Sequence, residues 1–401
     1  MLNQSFSLKN FQKLKKLGDL NKYFQGCSPK EIDVKLQKIV HECENINNYS
    51  FPPLQMFKQK NKMVYKLPKN AISADFVLRK INYNIKRIYG VFFANRNQII
   101  EQIKYLIQEN TDFYIYKFDI DNFYESIDSK IILNKIINSR LTSSATKQLL
   151  RCFFDNLSNV QGLPRGINLS ATLSEIYMHE FDEYTKNLEG VFYYARYVDD
   201  IICFTTIQID ESKLKNRLPN LHFNSQKTYF KKVVASTRVI FDYLGYTIEK
   251  KASTSKRKIS EVNITIAEKK IKKIKSKIFL AMYNYNKAND FVLLKKRLLY
   301  LTSCFPLKEK HQKVFNEIEI GVLHGGILHS YPLIDENCNE LLELDNYLKI
   351  LIFKSNLVKN LSLKQKRALA RISFVQSFKR KIKRNFPQNS INNIVRCWRN
   401  V

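Results

Sequence analysis

The stretch Phe192-Tyr193-Tyr194-Ala195-Arg196-Tyr197-Val198-Asp199-Asp200-Ile201-Ile202-Cys203-Phe204 constrains the fold of this chain more than any other. Two apolar, β-favouring runs flank an acidic pair, and the break between them is short enough for a hairpin turn. Adjacent carboxylates at the tip of two buried strands concentrate negative charge on a rigid support. An isolated Asp-Asp pair reads most simply as a solvated turn, because Asp is a favoured turn residue. Other segments therefore have to decide what this pair is for.

A second acidic segment lies upstream, in Phe113-Tyr114-Ile115-Tyr116-Lys117-Phe118-Asp119-Ile120-Asp121-Asn122-Phe123-Tyr124-Glu125-Ser126-Ile127. Its first half reads as a strand and its second as a helix, with Asp119 at the junction. Asp121 or Asn122 is expected to cap the helix, with Glu125 completing a capping box from Asn122. A helix cap is the preferred reading of Asp121. Asp119 lies between apolar Phe118 and Ile120, where a carboxylate is costly unless paired or bound to a metal. Farther on, Gln161-Gly162-Leu163-Pro164-Arg165-Gly166 forms a loop that opens into an apolar helix expected over Ile167 to Phe181. Glycine at a helix entrance lets a ligand approach the backbone and leaves N–H groups for anions.

Charge narrows the class of partner. The 401 residues carry 67 Lys and Arg against 36 Asp and Glu, a formal net charge of +31. Such a surplus repels itself unless an anion is near, and nucleic acid is the expected anion. Anionic membrane is the other candidate, but no apolar run approaches the roughly 20 residues needed to span a bilayer. No signal peptide is read at the start. Cys27, Cys43, Cys152, Cys203, Cys304, Cys338 and Cys397 are scattered without a Cys-x-x-Cys, which predicts reduced thiols in a cytoplasm. The histidines show no metal-ligand spacing; His324 and His329 read as structural or surface residues.

In chain order, residues 1 to 50 read as helical, with Phe11, Leu14 and Leu17 at helical spacing, until Phe51-Pro52-Pro53. Residues 63 to 110 mix strand and helix signals. Lys66-Leu67-Pro68-Lys69 and the run from Leu78-Arg79-Lys80-Ile81 to Arg87 place basic residues in a β-rich context that could grip phosphates, or simply form a solvated face. An amphipathic helix is expected over 98–108 and helices over 129–157. Lys227 ends the short segment from Leu221. Phe241-Asp242-Tyr243-Leu244-Gly245-Tyr246 reads as an apolar strand with a glycine turn. A subdomain boundary is expected from Lys250 to Arg257. Basic helices follow at 269–278, 291–301 and 363–383, suited to a phosphate-backbone cradle.

Five segments in this order, Phe118 to Tyr124, Gln161 to Gly166, Tyr197-Val198-Asp199-Asp200, Lys227 and Tyr243 to Tyr246, resemble the palm motifs of reverse transcriptases. The resemblance covers about residues 63 to 250 and implies an α+β right-hand polymerase. Its parts would be an N-terminal helical extension of the fingers (1–62), fingers and palm with an antiparallel sheet (63–250), and a helical thumb and C-terminal region (251–401). It implies RNA-directed DNA synthesis from deoxynucleotides by two-metal transfer. Asp119, Asp199 and Asp200 would be catalytic and, with Ile120, would hold two Mg2+ ions, with Mn2+ as a substitute. Lys227 would protonate or neutralise pyrophosphate. Arg79, Tyr124, Gln161, Gly162 and Tyr197 would line the nucleotide site, with Tyr124 as a gate against a 2′-hydroxyl and Gly162 leaving room for the sugar. Tyr243, Leu244 and Gly245 would hold the primer end.

Within the family, the length, Asn95-Arg96, the residues around Asp119 and the ending Ile394-Val395-Arg396-Cys397-Trp398 resemble bacterial antiphage defence-associated enzymes, nearest the smaller polymerase of the type 3 system. That resemblance implies a noncoding RNA or RNA template and a DNA product. A second reverse transcriptase subunit or a further copy of the chain would be a partner, with no membrane. RNA-directed RNA synthesis, untemplated or protein-primed DNA synthesis, and a nucleic-acid-binding scaffold for another polymerase are the alternatives.

Overall fold

The computed structural model describes residues 2–59, 62–157, 160–218, 220–252, 259–306, 324–335 and 338–398. They form two compact units, residues 1–94 with 113–232, and residues 95–112 with 233–401. These units cut the chain differently from the segments 1–62, 63–250 and 251–401, because the helix after residue 95 and the strands after residue 233 pack together. Part of the polar stretch from Lys250 to Arg257 lies outside the described residues.

The first unit opens with α1 (Leu8–Lys13), α2 (Leu17–Lys22) and α3 (Pro29–Glu44). Phe11 and Leu17 therefore belong to separate helices. The hairpin β1 (Gln55–Gln59) and β2 (Lys62–Lys66) precedes α4 (Ile72–Ile88). The basic run around Arg79 lies on α4 and not among strands: Ala74, Val77, Ile81 and Ile85 recur at helical spacing and are buried together.

The central sheet of this unit has the order β4-β5-β3-β6, built from β3 (Phe113–Asp119), β4 (Val191–Tyr197), β5 (Asp200–Thr205) and β6 (Tyr229–Val233). In β5, Ile201, Ile202, Cys203 and Phe204 are all fully buried, as a central strand covered on both faces requires. The short α6 (Phe123–Ser126) follows β3, and α7 (Ser129–Ile137), α8 (Ser144–Asp155), α9 (Asn168–Lys186) and α10 (Glu211–Lys215) complete the unit. Leu173, Ile176 and Met178 of α9 share one core with Phe118, Ile201 and Cys203. That core fixes the two acidic strands side by side.

The second unit contains α5 (Arg96–Gln108) and an antiparallel sheet β7-β8-β9, from β7 (Val239–Tyr243), β8 (Tyr246–Lys250) and β9 (Val262–Ile266). Helices α11 (Glu268–Ala288), α12 (Phe291–Thr302), α13 (Ile327–Ser330) and α14 (Asn339–Phe353) follow. The single helix expected over 363–383 is two, α15 (Leu363–Ala370) and α16 (Phe374–Lys379). The break lies at Ser373, whose hydroxyl accepts from the Gln376 amide and donates to Asp345 at 2.5 Å, a helix cap inside the basic run. All seven cysteines are free thiols. Among the described residues no helix is long and apolar enough to cross a membrane.

Candidate active site

Strands β4 and β5 pair in antiparallel register with Tyr197 opposite Asp200, leaving Val198 and Asp199 as a two-residue turn. Strand β5 also pairs with β3, and there Asp119 lies opposite Asp200. The Ile120 amide donates to the Asp199 carbonyl at 3.2 Å, which ties the turn to the end of β3. The turn is backbone-strained: Val198 has φ +61, a value that two-residue hairpins normally give to Gly, Asn or Asp. A β-branched residue there costs about 1–3 kcal/mol and persists only where its surroundings hold it.

The three carboxylates feel one another. Burial, and then the Asp199 and Asp119 charges, push Asp200 up to about 6. Burial and Asp119 also raise Asp199. Lys227 reaches the cluster directly, its Nζ donating to Asp119 Oδ2 at 2.7 Å; that contact raises the Lys227 pKa, although its side chain is 58% exposed, and the charges of Lys62 and Lys117 act on Asp199 and Asp200. Among the described residues no three His, Cys, Asp or Glu side chains already stand as a metal-holding group. The donor set nevertheless fits hard divalent cations. The three carboxylates come from two strand ends, and burial with neighbouring like charge raises Asp199 and Asp200, a cost that a bound cation would offset. Asp119, Asp199 and Asp200 are the side chains that would hold such ions.

The loop 161–166 packs against α6 by backbone contact. The Leu163 amide donates to the Tyr124 carbonyl at 2.8 Å. Gly162 has φ +68, and a Cβ there would stand 2.3 Å from the Tyr124 carbonyl oxygen and 2.6 Å from that of Glu125. The immediate reason for glycine is thus contact with α6, before any sugar is considered. Tyr124 is half-buried in this contact, with the Arg165 guanidinium 5.0 Å from its ring centroid. Gln161 is exposed and Tyr197 half-buried.

The expected capping box does not form. Asn122 has φ +46 and makes no side-chain cap. Glu125 instead accepts two bonds from Arg165, at 3.1 and 3.0 Å. Asp121 is not a side-chain cap either: its Oδ1 accepts from Asn224 Nδ2 at 2.6 Å. The Asn224 amide in turn donates to the Asp119 carbonyl at 2.7 Å, so the segment leading to Lys227 is laced to the acidic strand.

Arg79 is a correction to the sequence reading. All five guanidinium N–H donors are engaged within the first unit. Nη1 and Nη2 reach Asp19 at 2.6 and 2.7 Å, Nε and Nη2 reach Asp75 at 3.0 and 2.9 Å, and Nη1 reaches the Leu14 carbonyl at 3.2 Å. Burial works against its charge, but the Asp19 and Asp75 bonds outweigh it and raise the Arg79 pKa. This side chain clamps α4 to the N-terminal helices and has no donor left for a triphosphate. Lys62, which sequence reasoning missed, is nearer the chemistry: its charge acts on both Asp199 and Glu125. Its signal was weak, one lysine among several in a basic hairpin.

In the second unit, Leu244 and Gly245 form the two-residue turn between β7 and β8, both with positive φ, +48 and +82. Arg96 grips this turn. Its Nε donates to the Leu244 carbonyl at 2.9 Å and its guanidinium lies over the Tyr246 ring, 4.6 Å from the centroid. Tyr243 is buried opposite Tyr246.

A family profile described as reverse transcriptase (RNA-dependent DNA polymerase) matches residues 35–283. Among solved structures, the chain is similar to apo telomerase from Candida tropicalis truncated from its C-terminal domain. That likeness has 11% identity and a TM-score of 0.38, and covers 55% of each chain. The chain thus spans about half the length of that structure. No curated protein sequence matches it significantly.

Proposed function

The chain belongs to the reverse transcriptase family, and from that premise we propose that it is an RNA-directed DNA polymerase whose reaction centre is the Asp119, Asp199 and Asp200 cluster. The observation that carries the reading is the register that sets Asp119 opposite Asp200 at the end of the β3–β5 ladder, beside the Asp199 turn. Bound divalent cations would supply Lewis-acid stabilisation of the attacking and leaving oxygens of a phosphoryl transfer. Asp119 and Asp199 would hold that charge in place, and a bound cation would offset the burial and the Asp119 charge that disfavour the bare Asp199 carboxylate. Lys227 would hand a proton or its charge to departing pyrophosphate once its bond to Asp119 opens. Tyr124, fixed from behind by Leu163 and Arg165, presents a ring that would clash with a ribose 2′-hydroxyl. Lys62 takes the triphosphate role expected of Arg79.

The net charge of +31 supports an RNA template and a DNA product as partners. The finer reading is a bacterial antiphage defence polymerase working in the cytoplasm with a noncoding RNA and a second polymerase subunit or copy. It rests on the resemblance of Asn95-Arg96 and the C-terminal residues. Fingers, palm and thumb remain our assignments for 1–62 with 63–250 and 251–401, and Tyr243 to Gly245 our assignment for primer contact. The test is extension of a primed RNA template by the purified chain. The expected result is a nuclease-identified DNA product made from deoxynucleotides with Mg2+. An RNA product, or none with any RNA or primer, would overturn it.

A further inference from the structure

We propose that Arg196 is a positioning residue for the metal-binding carboxylates, acting as a latch on the strained turn that carries Asp199. The inference rests on the reading of Asp119, Asp199 and Asp200 as a cation site.

Arg196 leaves the sheet beneath the turn and is almost completely buried, 5% exposed at its side chain. Its guanidinium is held on two sides by acids. Nε and Nη2 donate to Asp182 at 2.8 and 2.7 Å, and Nη1 and Nη2 donate to Glu175 at 3.1 and 2.6 Å. Tyr194 adds a third contact, its hydroxyl donating to Asp182 at 2.6 Å. Both acids lie on α9, so the fork is referenced to the helix that forms the core beneath the sheet. One bond goes the other way: Nη1 donates to the Val198 carbonyl at 3.1 Å.

That carbonyl belongs to the central peptide of the turn. Both primed turns that fit a two-residue hairpin need φ > 0 at the first turn residue, whereas the unprimed turns, with φ < 0 there, reorient this peptide unit and swing the second turn residue. Here the second turn residue is Asp199. Val198 at φ +61 gives the turn a reason to rearrange. The Ile120 amide pins the next carbonyl, that of Asp199, at 3.2 Å, and the Asp199 N–H of the central peptide bonds its own carboxyl, so neither ties that peptide to the helix beneath. Arg196 supplies that tie through the Val198 carbonyl. A lysine keeps the charge but cannot hold Asp182, Glu175 and the Val198 carbonyl in one planar fork. The strain at Val198 and the latch at Arg196 should therefore be coupled: with glycine at 198 the turn has less need of being held.

The test is Mn2+ binding to nucleotide-free full-length protein, followed by electron paramagnetic resonance, alongside kcat and KM for deoxynucleotide. Wild type, Arg196→Lys, Val198→Gly and the double variant are compared. We expect Arg196→Lys to weaken Mn2+ binding about tenfold or more and to lower kcat with little change in KM. Adding Val198→Gly should recover most of the binding. A helper role in folding alone would lower thermal stability without changing Mn2+ affinity, and that result overturns the proposal, as does an equal deficit with and without Val198→Gly. Should Arg196→Lys not fold, Glu175→Gln serves. It keeps an acceptor of the same shape but loosens the fork, and must also weaken Mn2+ binding; unchanged affinity overturns the latch. Absence of any Mn2+ binding to wild type that Asp199→Ala removes would instead defeat the cation-site reading, so the two failures are distinguishable.

Discussion

Lys227 Nζ lies 2.7 Å from Asp119 Oδ2, so this lysine occupies an oxygen that a cation bound at the cluster would use. A divalent cation bound there would compete with the lysine. Lys227→Ala is expected to tighten Mn2+ binding in the absence of nucleotide, because a competing positive charge is gone. The same change should slow turnover by about a hundredfold or more, the usual range for losing a general acid. Calorimetric metal titration and single-turnover kinetics on the same preparation check both directions. Weaker metal binding in the variant would mean that Lys227 supports the site rather than competing for it.

The two basic side chains assigned to the nucleotide should behave oppositely. Arg79→Ala breaks a buried multi-dentate pair and leaves Asp19 with no guanidinium partner, at a cost of about 3–5 kcal/mol. Chemical denaturation should show that loss, while KM for nucleotide in the folded fraction stays near wild type. Lys62→Ala should leave stability within about 0.5 kcal/mol and raise KM. A rise in KM with Arg79→Ala at full stability would restore the first reading of that residue.

Tyr124 is held by backbone and by Arg165, so its removal should open space without collapsing the loop. Tyr124→Ala is expected to narrow the preference for deoxynucleotides over ribonucleotides by about tenfold or more, from the cost of a steric clash. Competition between labelled nucleotides measures it. Wild-type enzyme that already prefers ribonucleotides would contradict the gate.

The meeting of Asp119 with the Asp199 turn is legible in the sequence because both ends of the argument are local. Apolar runs predict strands, and a carboxylate on a buried strand must find company. Arg79 misled for the opposite reason. Its neighbours Leu78 and Ile81 look β-like in a short window, and only the spacing from Ala74 to Ile85 shows the helix. Its partner Asp19 is far away in the chain, a long-range pairing that no local pattern encodes. Arg96 and Arg196 share that fate: each is defined by carbonyls and rings brought in by the fold. Gly162 was legible as a special position, but its cause, the carbonyls of Tyr124 and Glu125, was not. The break at Ser373 in the last basic helix hides behind good helix formers on both sides.

Lys80 gives a pH signature. It is buried, with Nζ donating to the Asn3 carbonyl at 2.8 Å. Burial, helped by Lys13, lowers its pKa from 10.5 to about 8. The folded chain therefore sheds this proton before the unfolded chain does. Between those two values the unfolded state binds more protons and stability rises with pH. Relative to Lys80→Met, wild type should gain up to about 3 kcal/mol across that window. Parallel denaturation curves at several pH values give the difference, and parallel slopes for the two proteins would refute the assignment.

The most direct measurement is metal-dependent incorporation of labelled deoxynucleotide by Asp119→Asn and Asp199→Asn, each with its melting temperature. The account predicts that both variants lose incorporation to background while folding as well as wild type, since each substitution relieves like-charge crowding in a buried cluster. Wild-type incorporation by either folded variant would contradict it.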